Sequence, residues 1–190
     1  MFKKFSLVLF FVSLVLPIYS DEVEEIIVTA LKRTSTVGET PASITAISST
    51  DIEDKGIASM HDLKHVVPSM EFTNVLDSYN ITIRGIGQFN GNPGVAVSTD
   101  GVFQSRAHSS QLGQMDLDRI EVLRGPQGTL YGRNSIGGVI NLITKEPSQE
   151  ASGYVTAGYG NYDTVSGQLA YGRGISENTS FRFAAESVEQ

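Results

Sequence analysis

Two histidines and a neighbouring carboxylate are the residues whose spacing first suggests chemistry in this sequence. The segment HDLKH places His61 and His65 four residues apart with Asp62 beside the first, a degenerate form of the motif in which two histidines bind zinc and a glutamate acts as base. Asp62 also follows Ser59 by three residues, the spacing of a helix capping box, and the remaining histidine, His108, is distant. We interpret the pair as two solvated helix residues, with a secreted zinc protease as the alternative.

Two other segments fall short of known ligand-binding loops. In Gly128–Asn134 the glycines are four apart and an Arg-Asn pair ends the run, whereas a phosphate loop needs five and Lys-Ser or Lys-Thr. In residues 51–62, Lys55 stands at a calcium-ligand position and Asp62 replaces the final glutamate. No nucleophile, base and orienting group assemble from local motifs. We therefore expect no enzyme activity, no cofactor and no bound metal.

The first 20 residues have the layout of a secretory signal peptide. Lys3 and Lys4 precede an apolar run from Phe5 to Leu16, and Pro17 and Ser20 follow. A helix of about 12 residues at about 1.5 Å per residue spans only about 18 Å, too short for a hydrocarbon core about 30 Å thick. We expect cleavage near Ser20.

Charge and cysteine content exclude several classes of function. The chain has 14 basic and 21 acidic residues, and removal of Lys3 and Lys4 with the signal peptide leaves 12 against 21, a net charge of −9. Such a charge argues against nucleic acid as a partner. Because the sequence has no cysteine, it forms no disulfide, thiolate metal site or cysteine nucleophile.

The elements that position these residues are short. The apolar residues Leu63, Val66 and Val67 predict a short helix that ends before Pro68, and polar residues 32–40 predict a flexible tether. Period-two alternation predicts several strands. These are residues 44–48, residues 70–75, and strands around Ile81 and Ile83, Val95 and Val97, and Ile120 and Val122. We expect an α+β domain over residues 41–147, with binding loops at 86–94 and 103–117.

The pattern changes after Pro147. Tyr154–Tyr159, Val165–Arg173 and Phe181–Val188 are longer alternating segments separated by turn-like residues. Alternating strands of about 9 to 11 residues are typical of membrane β-barrels. The pattern predicts the first antiparallel strands of an incomplete transmembrane β-barrel over residues 148–190, with a soluble sandwich as the alternative.

A short apolar segment follows the expected cleavage site. Four of the five residues from Asp21 to Glu25 are acidic, and Ile26, Ile27 and Val28 are β-prone. A mobile extended segment of this kind can add as a strand to the open sheet edge of a partner. The alternative is a first strand of the domain's own sheet.

Several segments, in order, resemble one protein family. LRGPQGTLYGRNSIGGVINLITK at Leu123–Lys145 resembles the hallmark segment that ends the plug domain of TonB-dependent outer-membrane receptors. EIIVTA at 25–30 resembles a TonB box, ITIRG at 81–85 resembles the plug's first Arg-Gly strand, and VAVSTDGV at 95–102 resembles its central hairpin. The resemblance runs from about residue 25 to the last residue, and the ordered set is far more specific than any one piece.

The resemblance implies a plug that gates a β-barrel in the cell outer membrane. Family members import scarce, bulky nutrients, with an iron-siderophore complex expected first and cobalamin or an oligosaccharide as alternatives. The resemblance also implies that a TonB box binds the TonB C-terminal domain, which draws on the inner-membrane proton gradient. The residues matching the TonB box are Glu25, Ile26, Ile27, Val28, Thr29 and Ala30.

The resemblance also assigns provisional roles to arginines and loops. Arg84-Gly85, Arg124-Gly125 and Arg133 would lock the plug to glutamates of the barrel wall, with solvent-exposed arginines as the alternative. Candidate ligand contacts, chosen by loop position, are Gln88, Phe89, Asn90, Asn92, Phe103, Arg106 and His108. Since the sequence stops after about three strands, we expect the N-terminal part of a receptor; the alternative is a soluble periplasmic plug-like binding module without its own barrel.

We expect residues 21–147 to fold without metal, because no set of metal ligands assembles from the sequence. The far-UV circular dichroism of this segment should not change when a chelator is added. Loss of the folded spectrum under chelation would contradict the expectation and would indicate a structural metal site at His61 and His65.

Overall fold

The computed structural model describes residues 26–75, 78–88, 91–104 and 115–189. The expected signal peptide and five of the proposed site residues lie outside this part of the chain. Those site residues are Glu25, Phe89, Asn90, Arg106 and His108. No helix within the described ranges has the length and apolar character needed to cross a membrane.

Short strands make up most of the described chain. The strands are β1 (Ile27–Val28), β2 (Ser35–Thr36), β3 (Ile44–Ser48), β4 (Met70–Val75), β5 (Ser78–Ile83), β6 (Val95–Thr99), β7 (Val102–Phe103), β8 (Leu117–Arg124), β9 (Gly138–Thr144), β10 (Ser152–Tyr159), β11 (Val165–Ser176) and β12 (Thr179–Glu189). The helices are α1 (Ser49–Asp54), α2 (Gly128–Tyr131) and two 3-10 helices, Met60–His65 and Asn161–Asp163. The expected α+β class and the strands predicted by alternation are confirmed.

A five-stranded sheet organises the residues before Pro147. Its strand order is β3-β8-β9-β6-β7, and only β6 and β9 run parallel. The parallel pair requires a long crossover, and the chain between β6 and β9 supplies it through β7, β8 and α2. Most of β9, with the sequence GVINLIT, is buried, as expected for a central strand covered on both faces.

Alternation along the strands divides the sheet residues between two faces. Ile120 and Val122 of β8 pack in the main core, together with Ile140 of β9 and Leu63 and Val67 from the chain around the first 3-10 helix. The intervening residues of β8 and β9 point the other way, because successive side chains of a strand alternate. Leu123 and Val139 there form a smaller cluster with Ala30 and Ala96.

The helix expected near the histidines is a 3-10 helix. Its geometry argues against the alternative of a zinc-protease site. Asp62 accepts hydrogen bonds from the Ser59 backbone N–H at 2.8 Å and from its hydroxyl at 2.9 Å, which agrees with the expected cap. A 3-10 helix has about three residues per turn, so His61 and His65 do not share one face. Within the described ranges, no group of three or more His, Cys, Asp or Glu side chains is placed to hold a metal ion.

Residues 26–40 form a hairpin instead of the expected detached segment and flexible tether. β1 pairs antiparallel with β2 through Ile27↔Thr36 and Val28↔Ser35. The Thr40 hydroxyl lies 2.8 Å from the Ser35 hydroxyl and donates to the Thr36 carbonyl at 2.7 Å. These hydroxyls satisfy local polar groups, which is how Ser and Thr stabilise turns in segments that lack apolar periodicity.

The last three strands form a separate antiparallel sheet in the order β10-β11-β12. One face is apolar and exposed, and the other packs towards the end of β8, where Arg182 binds Asp116 through two hydrogen bonds. Both partners are nearly buried, with side-chain exposures of 9% and 7%. The exposed face carries Val155, Tyr159, Leu169, Tyr171, Phe181 and Phe183.

The central strand β9 should dominate stability. Ile140→Ala removes a fully buried side chain from the main core, and we expect the free energy of unfolding to fall by about 2–5 kcal/mol. Val102→Ala is the control, because Val102 is 65% exposed and should change stability by less than about 0.5 kcal/mol. Chemical denaturation monitored by circular dichroism measures both; equal losses would contradict this account of the core.

Candidate functional site

The second face of the five-stranded sheet carries a buried polar row. Glu121, Asn141 and Ser98 lie opposite one another on β8, β9 and β6, with exposures of 0%, 3% and 3%. The Ser98 hydroxyl donates to Asn141 Oδ1 at 2.7 Å, and Asn141 Nδ2 lies 3.4 Å from Glu121 Oε2. The row ends at the Glu121 carboxylate, whose other oxygen accepts hydrogen bonds from Arg119 of the same strand and from a partner outside the sheet.

That partner is the N-terminal segment. The Thr29 backbone N–H donates to Glu121 Oε1 at 2.8 Å, and Arg119 Nε donates to the same oxygen at 2.8 Å. Arg119 Nη2 also donates to the Thr29 hydroxyl at 3.1 Å. One ion pair of β8 therefore binds both the backbone N–H and the hydroxyl of Thr29.

Tyr131 of α2 fixes the next residue of the segment. Its hydroxyl donates to the Ala30 carbonyl at 2.7 Å, and the ammonium of Lys32 lies 4.6 Å from its ring centroid. Burial, and then the nearby Glu121 carboxylate, raise the pKa of Tyr131 to about 12, so the phenol stays protonated and able to donate at neutral pH. We call Glu121, Arg119 and Tyr131 the clasp.

Small apolar side chains complete the attachment of the segment. Val28 and Ala30 are fully buried, whereas Ile27 is 54% exposed. An open cleft of about 1150 Å³ runs beside the clasp, with Ile27, Thr29 and Arg119 in its lining. The segment is thus held on one side and open to solvent on the other.

The chemistry that the clasp can perform is the binding of a peptide segment. None of its three residues was among the site residues predicted from the sequence. A signal was present, because Glu121 is a charged residue between Ile120 and Val122 in a predicted strand. On the alternation expected for that strand, Glu121 shares a face with apolar Leu123. A carboxylate on an apolar face needs hydrogen-bond partners, but the sequence does not reveal that one of them is Thr29.

Arg84 and Arg124, the predicted locking arginines, meet at Ser43. Arg84 Nη2 donates to the Ser43 hydroxyl at 3.1 Å, and the Arg124 backbone N–H donates to the Ser43 carbonyl at 2.9 Å. Gly85 and Gly125 have φ angles of +78° and +108°, a region that favours glycine. The Arg84 side chain is exposed, and Arg124 is half-buried with its Nε atom buried; binding of the two arginines to a barrel wall stays a prediction.

Four other proposed residues fall in the described chain and do not come together as a site. Phe103 belongs to β7 instead of a loop, and it packs against the smaller apolar cluster. The guanidinium carbon of Arg133 lies 6.0 Å from its ring centroid. Gln88 and Asn92 are exposed, and the Gln88 backbone N–H donates to Asn80 Oδ1 at 2.8 Å.

Comparison with known proteins assigns this fold to a family. The family model described as TonB-dependent Receptor Plug Domain matches residues 36–139. The pesticin receptor of Yersinia pestis is 34% identical over 145 residues, which are 73% of this chain and 21% of the receptor. The iron-regulated outer membrane virulence protein of Vibrio cholerae is 36% identical over 144 residues, 70% of this chain and 22% of that protein.

A solved structure of a related receptor has the same fold. The pyoverdine outer membrane receptor FpvA from Pseudomonas aeruginosa PAO1, bound to pyoverdine, superposes with a TM-score of 0.72 at 27% identity, over 85% of this chain and 24% of that one. The chain belongs to the TonB-dependent receptors of the outer membrane and carries their plug domain. It spans about a fifth of the length of the relatives it matches.

We expect Tyr131→Phe to weaken the attachment of residues 26–40. The variant removes the donor to the buried Ala30 carbonyl, which should cost about 1 kcal/mol and make local release about fivefold more frequent. The rate of tryptic cleavage after Lys32 and Arg33, in the turn of the hairpin, reports this release. Tyr171→Phe on the exposed face of β11 is the control, and equal cleavage rates in both variants would show that the Tyr131 hydroxyl does not hold the segment.

Proposed function

We propose that the chain is the gating and energy-coupling part of a TonB-dependent importer in the outer membrane. The carrying observation is that a strand-forming N-terminal segment lies on the plug surface without belonging to the plug's sheet. β1 pairs with β2, and the five-stranded sheet is built from other strands. In this proposal residues 1–20 are the signal peptide, 21–40 the coupling region, 41–147 the plug and 148–190 the start of the barrel.

Residues 25–30 are proposed as the coupling segment that binds the TonB C-terminal domain. Ile27 is already exposed and Ile27–Val28 is already a strand, which supports binding by strand addition. Such a segment makes about 3 to 5 hydrogen bonds worth about 0.5–1.5 kcal/mol each, while a domain is stable by about 5–15 kcal/mol. Binding alone would not displace the plug, so the partner must pull on the segment.

The transported ligand is proposed to be an iron-siderophore complex, with cobalamin or an oligosaccharide as alternatives. Two relatives support the first choice by their names: one is an iron-regulated outer membrane protein, and the other is a receptor bound to pyoverdine. The exposed residues Gln88 and Asn92 remain candidate contacts, together with the candidates outside the described ranges. Phe103 is less available as a ligand contact, because its side chain packs against the smaller apolar cluster.

The Arg84 and Arg124 pair is proposed to bind carboxylates of the barrel wall. Arg124 Nε is buried and has no hydrogen-bond partner, which is costly for a charged group. Within the described ranges, the ion pairs made by arginines involve Arg119 and Arg182 but neither of these two. Carboxylates from a barrel wall would supply the missing acceptors.

The apolar face of β10–β12 favours a barrel over a soluble plug-like module. Val155 is 83% exposed, Tyr159 77% and Phe183 56%, and the register places them on one side of the sheet. Large contiguous apolar surfaces of this kind mark contact with a membrane or a partner. A soluble module would instead expose this face to water.

We expect Ile27→Pro to abolish binding to the TonB C-terminal domain. Proline removes a backbone donor and fixes φ, so the segment cannot complete a strand ladder. Isothermal titration of the purified chain, freed of its signal peptide, with that domain provides the measurement. Ile27→Ala retains the donor and serves as the matched control.

An unchanged affinity for Ile27→Pro, with a normal circular dichroism spectrum, would contradict the proposed coupling role. If neither the unmodified chain nor Ile27→Ala binds, the proposed partner is wrong for this segment.

A further inference from the structure

The hydrogen bonds that hold the coupling segment to the plug are made by two adjacent residues, Thr29 and Ala30. Thr29 donates its backbone N–H to Glu121 and accepts at its hydroxyl from Arg119. The segment's strand pairing is with β2, inside its own hairpin. Its attachment to the sheet therefore depends on the clasp and on the small buried side chains of Val28 and Ala30.

Release of the segment would leave the charges of the clasp compensated. Glu121 would keep Arg119 at 2.8 Å, and Arg119 would keep Asp118, which is 47% exposed. A buried charge that loses its only partner is strongly destabilising, but here the partner stays and the cleft beside Arg119 admits water. The arrangement can therefore open and close without disrupting the sheet beneath it.

We propose that the Glu121–Arg119 pair is a latch that positions the coupling segment and sets the fraction of molecules in which that segment is free. Glu121 and Arg119 are positioning residues in this role. The inference rests on the proposed coupling function of residues 25–30. It adds that availability of the segment is controlled from β8, at residues that lie 92 and 90 positions away from Thr29 in the sequence.

The latch has a consequence that a purely structural ion pair would not have. The apparent dissociation constant equals the intrinsic constant divided by the fraction of competent molecules. Weakening the latch should therefore tighten binding of the TonB C-terminal domain. A variant that merely destabilises the plug would not bind more tightly.

The test uses thiol alkylation as a measure of segment release. Since the sequence has no cysteine, Val28→Cys introduces a single thiol at a fully buried position, and it reacts with iodoacetamide only when the segment leaves the plug. Ile27→Cys, at a position that is 54% exposed, gives the reactivity of an accessible thiol. We expect Glu121→Ala to accelerate alkylation of Val28→Cys by about tenfold or more, because the Thr29 N–H and the Arg119 guanidinium both lose their acceptor.

Two further variants separate the latch from general destabilisation. Glu121→Gln keeps an oxygen that can accept a hydrogen bond from Thr29 but loses the charge. The alkylation rate of Val28→Cys in this variant should therefore lie between the rate with Glu121 and the rate with Glu121→Ala. Asp118→Asn removes the other carboxylate bound to Arg119 and should change the rate less than about twofold, as an exposed ion pair contributes little. A second reporter, Val67→Cys in the main core, should stay protected in all of them.

The outcomes separate this inference from the proposed function. Faster alkylation of Val28→Cys in Glu121→Ala, with Val67→Cys protected and tighter binding of the TonB C-terminal domain, supports the latch. Unchanged alkylation, or an equal rise at Val67→Cys, overturns it. If Glu121→Ala does not fold, the isosteric Glu121→Gln variant decides by the same criteria. Faster alkylation with no binding to the TonB domain at all would preserve the latch and contradict the coupling function.

Discussion

A carboxylate in the middle of a sheet must find hydrogen-bond donors, because an unsatisfied buried charge costs several kcal/mol. Glu121 has no exposed surface, and the sheet itself offers it only Arg119 from its own strand and the distant amide of Asn141. The remaining donor is the backbone of Thr29. This requirement brings the N-terminal hairpin onto the second face of the sheet. A polar group on that face thus binds the backbone of the hairpin, which an apolar surface could not do.

The two faces of the sheet thus differ in how they are held. The first is closed by large side chains such as Leu63 and Ile140, both fully buried, and its loss would mean unfolding of the domain. The second is closed by Val28 and Ala30 together with charge-assisted hydrogen bonds. When the hairpin leaves, the charged groups that make these bonds keep another partner or bind water. If a partner pulls on residues 25–30 as proposed, the pull would act first on the second face, while the core on the first face would stay folded.

The sequence predicted those parts of the fold that depend on local periodicity. β3, β4, β6 and β8 alternate clearly, and the ordered Arg-Gly and Gly-rich segments identified the family. The hairpin at 26–40 was not predicted, because its two-residue strands are too short to show alternation and its attachment to the sheet depends on a contact between residues 92 positions apart. His61 and His65 suggested an α-helical face, but the chain forms a 3-10 helix there, whose different period separates the two side chains. The clasp was missed for the same reason as the hairpin: Glu121 is conspicuous in β8, but its partner is not local.

The central claim is that residues 26–40 can leave the plug while the five-stranded sheet stays folded. Native-state hydrogen exchange of the full chain, resolved by residue, tests it most directly, because opening free energies differ between independently unfolding units. The account predicts that the amides of Val28 and Thr29 exchange through a local opening far more often than the amide of Ile140. It also predicts that Glu121→Gln accelerates exchange at Val28 and Thr29 and leaves exchange at Ile140 unchanged. Equal protection at Thr29 and Ile140, with equal response to Glu121→Gln, would contradict it.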